Sequence, residues 1–212
     1  MQYRKFTKDK IDVSLLGYGC MRFPVLNGDS SQIDADKSTE MLHYAIDNGI
    51  NYIDTAYNYH QGNSEILLGN ALKNGYRDKV YLATKLPVWL VKTYDDFEKL
   101  LDEQLEKLQT EYIDFYLLHS LHAKVWTNIE KLNVFKFLDE AKTKGKIKYA
   151  GFSFHDELPL FKRIIDSYPW DFCQIQLNYM DRQYQAGIDG LTYAAKNELL
   201  NRMRGDWQKE DK

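Results

Sequence analysis

The sequence is short of several things, and each shortage excludes something. It has two cysteines, Cys20 and Cys173, in 212 residues. They make no CxxC pair and no disulfide framework, so a stapled secreted scaffold and a cysteine-built metal site are not expected. Reduced thiols and a cytoplasmic location are expected instead. No apolar run approaches the roughly 20 residues that cross a bilayer. The first residues, Met1 to Lys8, carry basic side chains with no apolar stretch behind them, so neither a secretory leader nor membrane association is expected. Charge of one sign is also scarce. The formal net charge is −3, and without a basic excess nucleic acid is not an expected partner. What is plentiful is hydrophobic. Residues of that kind make up 44% of the chain and aromatics 14%, which excludes a disordered polymer. A chain of this length supports one sizeable core. A single domain is therefore placed at residues 1–200, followed by a polar tail over 201–212.

Two short extended runs, Tyr3–Phe6 and Ile11–Val13, flank a polar turn at Thr7–Lys10 and read as a hairpin. After it, strand-like and helix-like segments alternate. The strand candidates are 14–19, 51–54, 80–85, 113–119, 147–152 and 172–178. The segments with helical period run from a cap at Asp34 or Asp36 to Ile46, from about Ser64 to Lys73, and from a Thr93/Asp96 capping box through Leu108. Three more cover about 132–141, 158–167 and 188–200. The stretch after His119 reads as a loop rich in polar and aromatic residues. Strand followed by helix, repeated six times, implies parallel strands with helical crossovers. The strands are near-continuous apolar runs, as expected when both faces of a sheet are covered.

In such sheets the functional residues gather at the carboxyl ends of the strands. Asp54, Lys85 and His119 each stand at a strand exit, and Tyr59 lies in the loop after the first of these strands. A carboxylate at the end of a buried strand is costly unless something pairs with it, and Lys85 is the candidate partner. Taken singly, each residue has an ordinary reading: a helix cap, a solvated strand end, a structural histidine, one of 16 tyrosines. Their shared placement is what marks a site.

The segments around these residues resemble the aldo-keto reductase family. The matching pieces are Leu16-Gly17-Tyr18-Gly19-Cys20-Met21-Arg22, the run from Asn51 to Tyr59, and Ser64-Glu65 followed by Leu68-Gly69. Ala83-Thr84-Lys85, the run from Asp114 to His119, Gly151-Phe152-Ser153-Phe154-His155 and Gln174 to Asn178 complete the set, in order, over about residues 10–196. The chain looks closest to the branch whose longer members carry a C-terminal ferredoxin-like segment. It contains no such cysteine-rich segment, and no iron–sulfur cluster is expected.

The resemblance implies a (β/α)8 barrel of the TIM type, an NADPH or NADH cofactor, and reduction of a small-molecule aldehyde or ketone to an alcohol. It assigns the catalytic roles to Asp54, Tyr59, Lys85 and His119. A phenol is a slow proton donor at neutral pH, and a lysine beside it favours the phenolate. Asp54 would hold the lysine charged and in place, and His119 would orient the carbonyl oxygen. For the cofactor, Ser153 and Gln174 match the positions that hold the nicotinamide carboxamide. Gly19, Cys20, Met21 and Arg22 match the loop beside the nicotinamide ribose, Asp54 adjoins it, and Asn178 lines the site. Where the family often has Asn after that serine, this chain has Phe154 and then His155, whose role stays open. Tyr18, Phe23, Trp89 and Trp126, in or near strand-exit loops, are candidates for pocket walls or for ordinary loop anchors.

The sequence also departs from the family. A closed barrel of this type takes about 250 residues, and six strand–helix units are counted here. The barrel is therefore expected to be incomplete, with the last two strands and their loops, which grip the cofactor's pyrophosphate and adenosine end, missing. The first and last strands would be open edges, which favour self-association or poor stability. Two other functions remain open: a truncated, catalytically weak remnant with little cofactor affinity, and a cofactor-free barrel isomerase using Asp54, Lys85 and His119.

Overall fold

The computed structural model describes residues 1–6, 9–197 and 199–204, the last five as backbone alone. The expected turn at Thr7 and Lys8 and the end of the tail, Gly205 to Lys212, lie outside the described residues. Strands β1 (Tyr3–Phe6) and β2 (Ile11–Ser14) form the antiparallel hairpin. Then follow β3 (Tyr18–Gly19), α1 (Ala35–Asp47), β4 (Tyr52–Asp54), α2 (Asn63–Ala71), β5 (Tyr81–Leu86), α3 (Asp95–Leu108), β6 (Ile113–Leu121), α4 (Ala123–Lys131), α5 (Val134–Thr143), β7 (Ile147–Phe154), α6 (Leu158–Asp166), β8 (Phe172–Gln176), α7 (Gly187–Lys196) and β9 (Leu200–Arg204). β3 to β9 form one sheet in chain order, every neighbouring pair parallel. This is the α/β architecture expected, a curled and incomplete barrel of the TIM type. Among the described residues no ladder joins β9 to β3.

The structure corrects several boundaries. The six strand–helix units are present, but a seventh strand follows them. β9 occupies residues assigned to the last helix and the polar tail, and it crosses the boundary placed at residue 200. Three of its five residues are polar, which hid it. Its ladder to β8, running from Phe172↔Leu200 to Gln176↔Arg204, is made by the backbone whatever the side chains are. The expected strand 14–19 is two pieces. Ser14 ends β2, and its N–H donates to Asn51 Oδ1 while its hydroxyl donates to Leu16 O. Leu15 and Leu16 are left exposed in the turn. The expected loop after His119 contains α4, whose Trp126 and Ile129, three residues apart, are fully buried.

Side chains on a strand alternate between faces, and this alternation builds two cores. The outward set, including Ile53, Leu82, Tyr116, Leu118, Phe152 and Ile175, packs against the helices. The inward set, Tyr52, Ala83, Phe115, Leu117, Tyr149 and Phe172, clusters with Phe6 and Val13 of the hairpin. Phe115 is its hub, with ring centroids 5.0 Å from Phe172 and from Tyr149 and 5.6 Å from Phe6. The hairpin therefore closes the floor of the barrel. Gly151 belongs to the same layer, and a Cβ there would come within 2.5 Å of the Phe172 ring. One irregularity interrupts the β6–β7 ladder. Leu118 pairs with Phe152 and Leu121 with Phe154, so three steps of β6 match two of β7. Within this bulge Ser120 takes φ 52° and donates its N–H to Ser153 Oγ at 2.7 Å.

Candidate active site

Two residues beyond each floor position, on the same inward face, the chemistry changes. Tyr52 leads to Asp54, Ala83 to Lys85, Leu117 to His119, Gly151 to Ser153 and Phe172 to Gln174. Period-two alternation thus delivers five polar side chains to the mouth from five adjacent strands.

Lys85 is fully buried, and Asp54, Tyr59 and His119 are each less than 10% exposed. The Lys85 ammonium donates to Asp54 Oδ1 and Oδ2, both at 2.9 Å, and to Thr55 O at 2.6 Å. The Tyr59 hydroxyl lies 3.4 Å from the same nitrogen. A buried lysine keeps its charge only when a carboxylate and further acceptors replace its water, and here they do. The His119 ring meets the Tyr59 ring edge-on, with centroids 6.2 Å apart. Trp89, 43% exposed, lies 5.2 Å from the His119 ring. The four candidate catalytic residues therefore converge at one mouth.

The other candidates divide. Gly19 pairs with Asp54 in the β3–β4 ladder, and open space lies over its Cα. Cys20 is fully buried. Burial pushes its thiol well above the usual range, Asp54 adds to this, and Lys85 opposes it. Its sulfur therefore stays protonated. Burial, with Cys20 beside it, pushes Tyr18 up to about 12. Met21 and Arg22 are exposed on the short turn Cys20–Arg22. Ser153 and Gln174 sit side by side in the β7–β8 register. Gln174 Oε1 is buried with no hydrogen-bond partner among the described residues, an arrangement that suits an incoming amide donor. Asn178 is occupied locally, its Oδ1 accepting from the N–H groups of Met180 and Asp181. Trp126 is a correction. It is fully buried, with its ring 5.8 Å from Phe135, so it is a core residue and not a pocket wall.

A polar layer on the outward face braces the site, and its bracing role was not legible from spacing. Ser64 and Glu65 open α2. Ser64 Oγ and Thr55 Oγ1 are 2.8 Å apart, and it is the Thr55 carbonyl that holds the Lys85 ammonium. Glu65 Oε1 accepts from Thr84 Oγ1 and from Gln104 Nε2, both at 2.6 Å. Gln104 also donates to Lys85 O at 3.1 Å and accepts from Tyr116 OH at 2.8 Å. Lys85 is thus held at both its ends. Burial raises the Glu65 carboxyl above its ordinary range, against the hydrogen bonds from Thr84 and Gln104. One signal was available: Gln104 is the polar residue on the apolar face of α3 otherwise made by Phe97, Leu100, Leu101 and Leu108.

Known proteins share this fold. The model of the Aldo/keto reductase family matches residues 15–198. An uncharacterized oxidoreductase of Bacillus subtilis (strain 168) is 31% identical over 166 residues, which cover 72% of this chain and 49% of that protein. An aldo-keto reductase from Bacillus halodurans, in its holo form, superposes with a TM-score of 0.77 at 25% identity, covering 97% of this chain and 66% of that one. An aldo-keto reductase from Klebsiella pneumoniae in complex with NADPH gives a TM-score of 0.74 at 23% identity, covering 95% and 67%. The chain spans about half the length of the Bacillus subtilis oxidoreductase and about two thirds of these solved neighbours.

Proposed function

Because the chain belongs to the aldo/keto reductase family, we propose that it is an NAD(P)H-dependent oxidoreductase that reduces an aldehyde or ketone to an alcohol. The observation that carries this reading is the contact of Lys85 Nζ with both oxygens of Asp54 and, 3.4 Å away, with the Tyr59 hydroxyl. A nicotinamide cofactor, when bound, supplies the hydride.

The residues supply the rest. Tyr59 gives its proton to the carbonyl oxygen as negative charge builds there. The Lys85 charge stabilises the phenolate left behind. Asp54 and the Thr55 carbonyl keep that charge in place, and His119, facing Tyr59 across the mouth, orients the substrate oxygen. Ser153 and Gln174 would hold the carboxamide, and the free acceptor on Gln174 supports the fit. Gly19, Cys20, Met21 and Arg22 would flank the ribose, where the open space above Gly19 leaves room for a close approach. The neighbour from Klebsiella pneumoniae, solved with NADPH, supports a nicotinamide cofactor. Trp89 beside His119 is the substrate-facing wall.

Titrating the chain with NADPH and with NADH, followed by a reactive aldehyde, tests this. Cofactor binding followed by aldehyde turnover that Tyr59→Phe abolishes is the expected result. Absence of binding at millimolar cofactor would sink it in favour of a weak remnant, and turnover without cofactor would favour an isomerase.

A further inference from the structure

The residue after the proposed proton donor is held in an unusual way. Tyr59 begins a short turn, Tyr59–Gly62, in which His60, Gln61 and Gly62 take φ values of 53°, 55° and 96°. Left-handed backbone is ordinary for glycine. For His and Gln in succession it is strained and persists only where the surroundings impose it. The imposing contacts come from the loop that follows the Cys20–Arg22 turn. The Phe23 N–H donates to His60 Nε2 at 3.1 Å, and His60 Nδ1 lies 2.9 Å from Ser30 O. The Phe23 ring lies 5.8 Å from the imidazole. Gln61 reaches Ser30 Oγ at 3.3 Å, and Asn63 Nδ2 donates to Ser31 O at 2.9 Å.

These contacts determine the tautomer. A backbone amide can only donate, so Nε2 must offer a lone pair. A carbonyl can only accept, so the proton must be on Nδ1. The imidazole is therefore neutral and spans two backbone groups seven residues apart. The loop it grips is itself stiff. Asp29 accepts from the N–H and hydroxyl of Ser31 and from Gln32, and Asp34 N–H donates to Pro24 O at 2.8 Å.

We propose that His60 is a positioning residue for Tyr59: its Nδ1-protonated ring clasps the 23–34 loop and so imposes the left-handed turn that aims the neighbouring phenol at Lys85. The role rests on the reading of Tyr59 as proton donor. It also links the phenol to the Cys20–Arg22 turn proposed to flank the cofactor, because Phe23 is the next residue.

Two near-isosteric replacements separate the two bonds. His60→Asn places an amide nitrogen where Nδ1 stands and tolerates left-handed backbone. His60→Gln places an acceptor near the position of Nε2. The full chain is assayed with NADPH and a reactive aldehyde, alongside His60→Ala and Tyr59→Phe. His60→Ala is expected to lower kcat by about 10²-fold, the cost of a roughly 1 Å misplacement, with little change in KM for the aldehyde. His60→Asn or His60→Gln is expected to recover most of that loss. Folded His60→Ala with unchanged kcat overturns the proposal, as does a loss that tracks only the unfolded fraction in all three variants. If Tyr59→Phe turns over normally, it is the catalytic reading that has failed.

A second readout needs no turnover. In isotope-labelled protein, NMR is expected to show His60 protonated on Nδ1 and a ring-to-ring contact between Tyr59 and His119. A folded His60→Ala, or His60→Asn if the alanine variant does not fold, that keeps this contact intact overturns the proposal. Loss of the contact in the folded variant supports it.

Discussion

The floor and the mouth of the barrel are made by the same strands, on the same face, two to four residues apart. At the floor, Tyr52, Phe115, Tyr149 and Phe172 form one buried cluster with Phe6 of the hairpin, whose ring meets Phe115 and Phe172 edge-on. At the mouth, where His119 also stands, Lys85 holds Asp54, Ser153 accepts from the Ser120 N–H, and Gln174 Oε1 is buried with no hydrogen-bond partner among the described residues. Alternation decides which way a side chain points, but height along the strand decides what it does. The floor holds an apolar plug whose value is area removed from water. The mouth holds a buried ion pair, which is weak evidence for stability and good evidence for function.

If that division of labour holds, substitutions should separate cleanly. The largest effect is expected for Tyr59→Phe, which should cut turnover by about 10²–10⁴-fold, the usual worth of a positioned proton donor. The melting temperature should stay put, because Lys85 keeps Asp54 and the Thr55 carbonyl as partners. A fall in melting temperature would show that the mouth contributes to stability after all. Next is Phe115→Ala, expected to cost about 3–5 kcal/mol in urea unfolding while turnover per folded molecule is retained. A parallel loss of turnover would mean that floor and mouth are one unit. Gly151→Ala should cost about 1–3 kcal/mol by overpacking against Phe172, again with kcat intact once the folded fraction is counted.

The smallest effect concerns Glu65, behind the mouth. Its carboxyl is raised in the folded protein relative to about 4.5 when unfolded. The folded state therefore holds the extra proton, and stability falls as pH rises from about 4.5 through the folded value. Glu65→Gln should flatten that slope in melting curves taken across the acid range. An unchanged slope would show that Glu65 does not titrate within it.

The sequence displayed the mouth better than the edges. Strand exits at Asp54, Lys85 and His119 were legible because continuous apolar runs stop abruptly at polar residues, and the fold supplies a reason for those residues to meet. β9 was not legible, since its side chains carry no apolar pattern and only the ladder to β8 defines it. Trp126 was not legible as core because its helix is mostly exposed and polar, burying Trp126 and Ile129 alone, and such a segment looks like a loop until its neighbours are known. The clasp at His60 joins residues some 30 positions apart through backbone groups, and backbone partners leave no trace in side-chain identity.

The extra residue in β6 at Ser120 has a consequence for the barrel's assembly. A regular parallel ladder can slide by two residues and still show the same faces, so alternation cannot fix the vertical offset between strands. The Ser120 amide seats on one hydroxyl, that of Ser153, and any slid arrangement would leave both without each other. The kink works as a detent. It sets how far His119 rises above the aromatic plug, and hence how deep a cavity the two neighbouring strands can enclose.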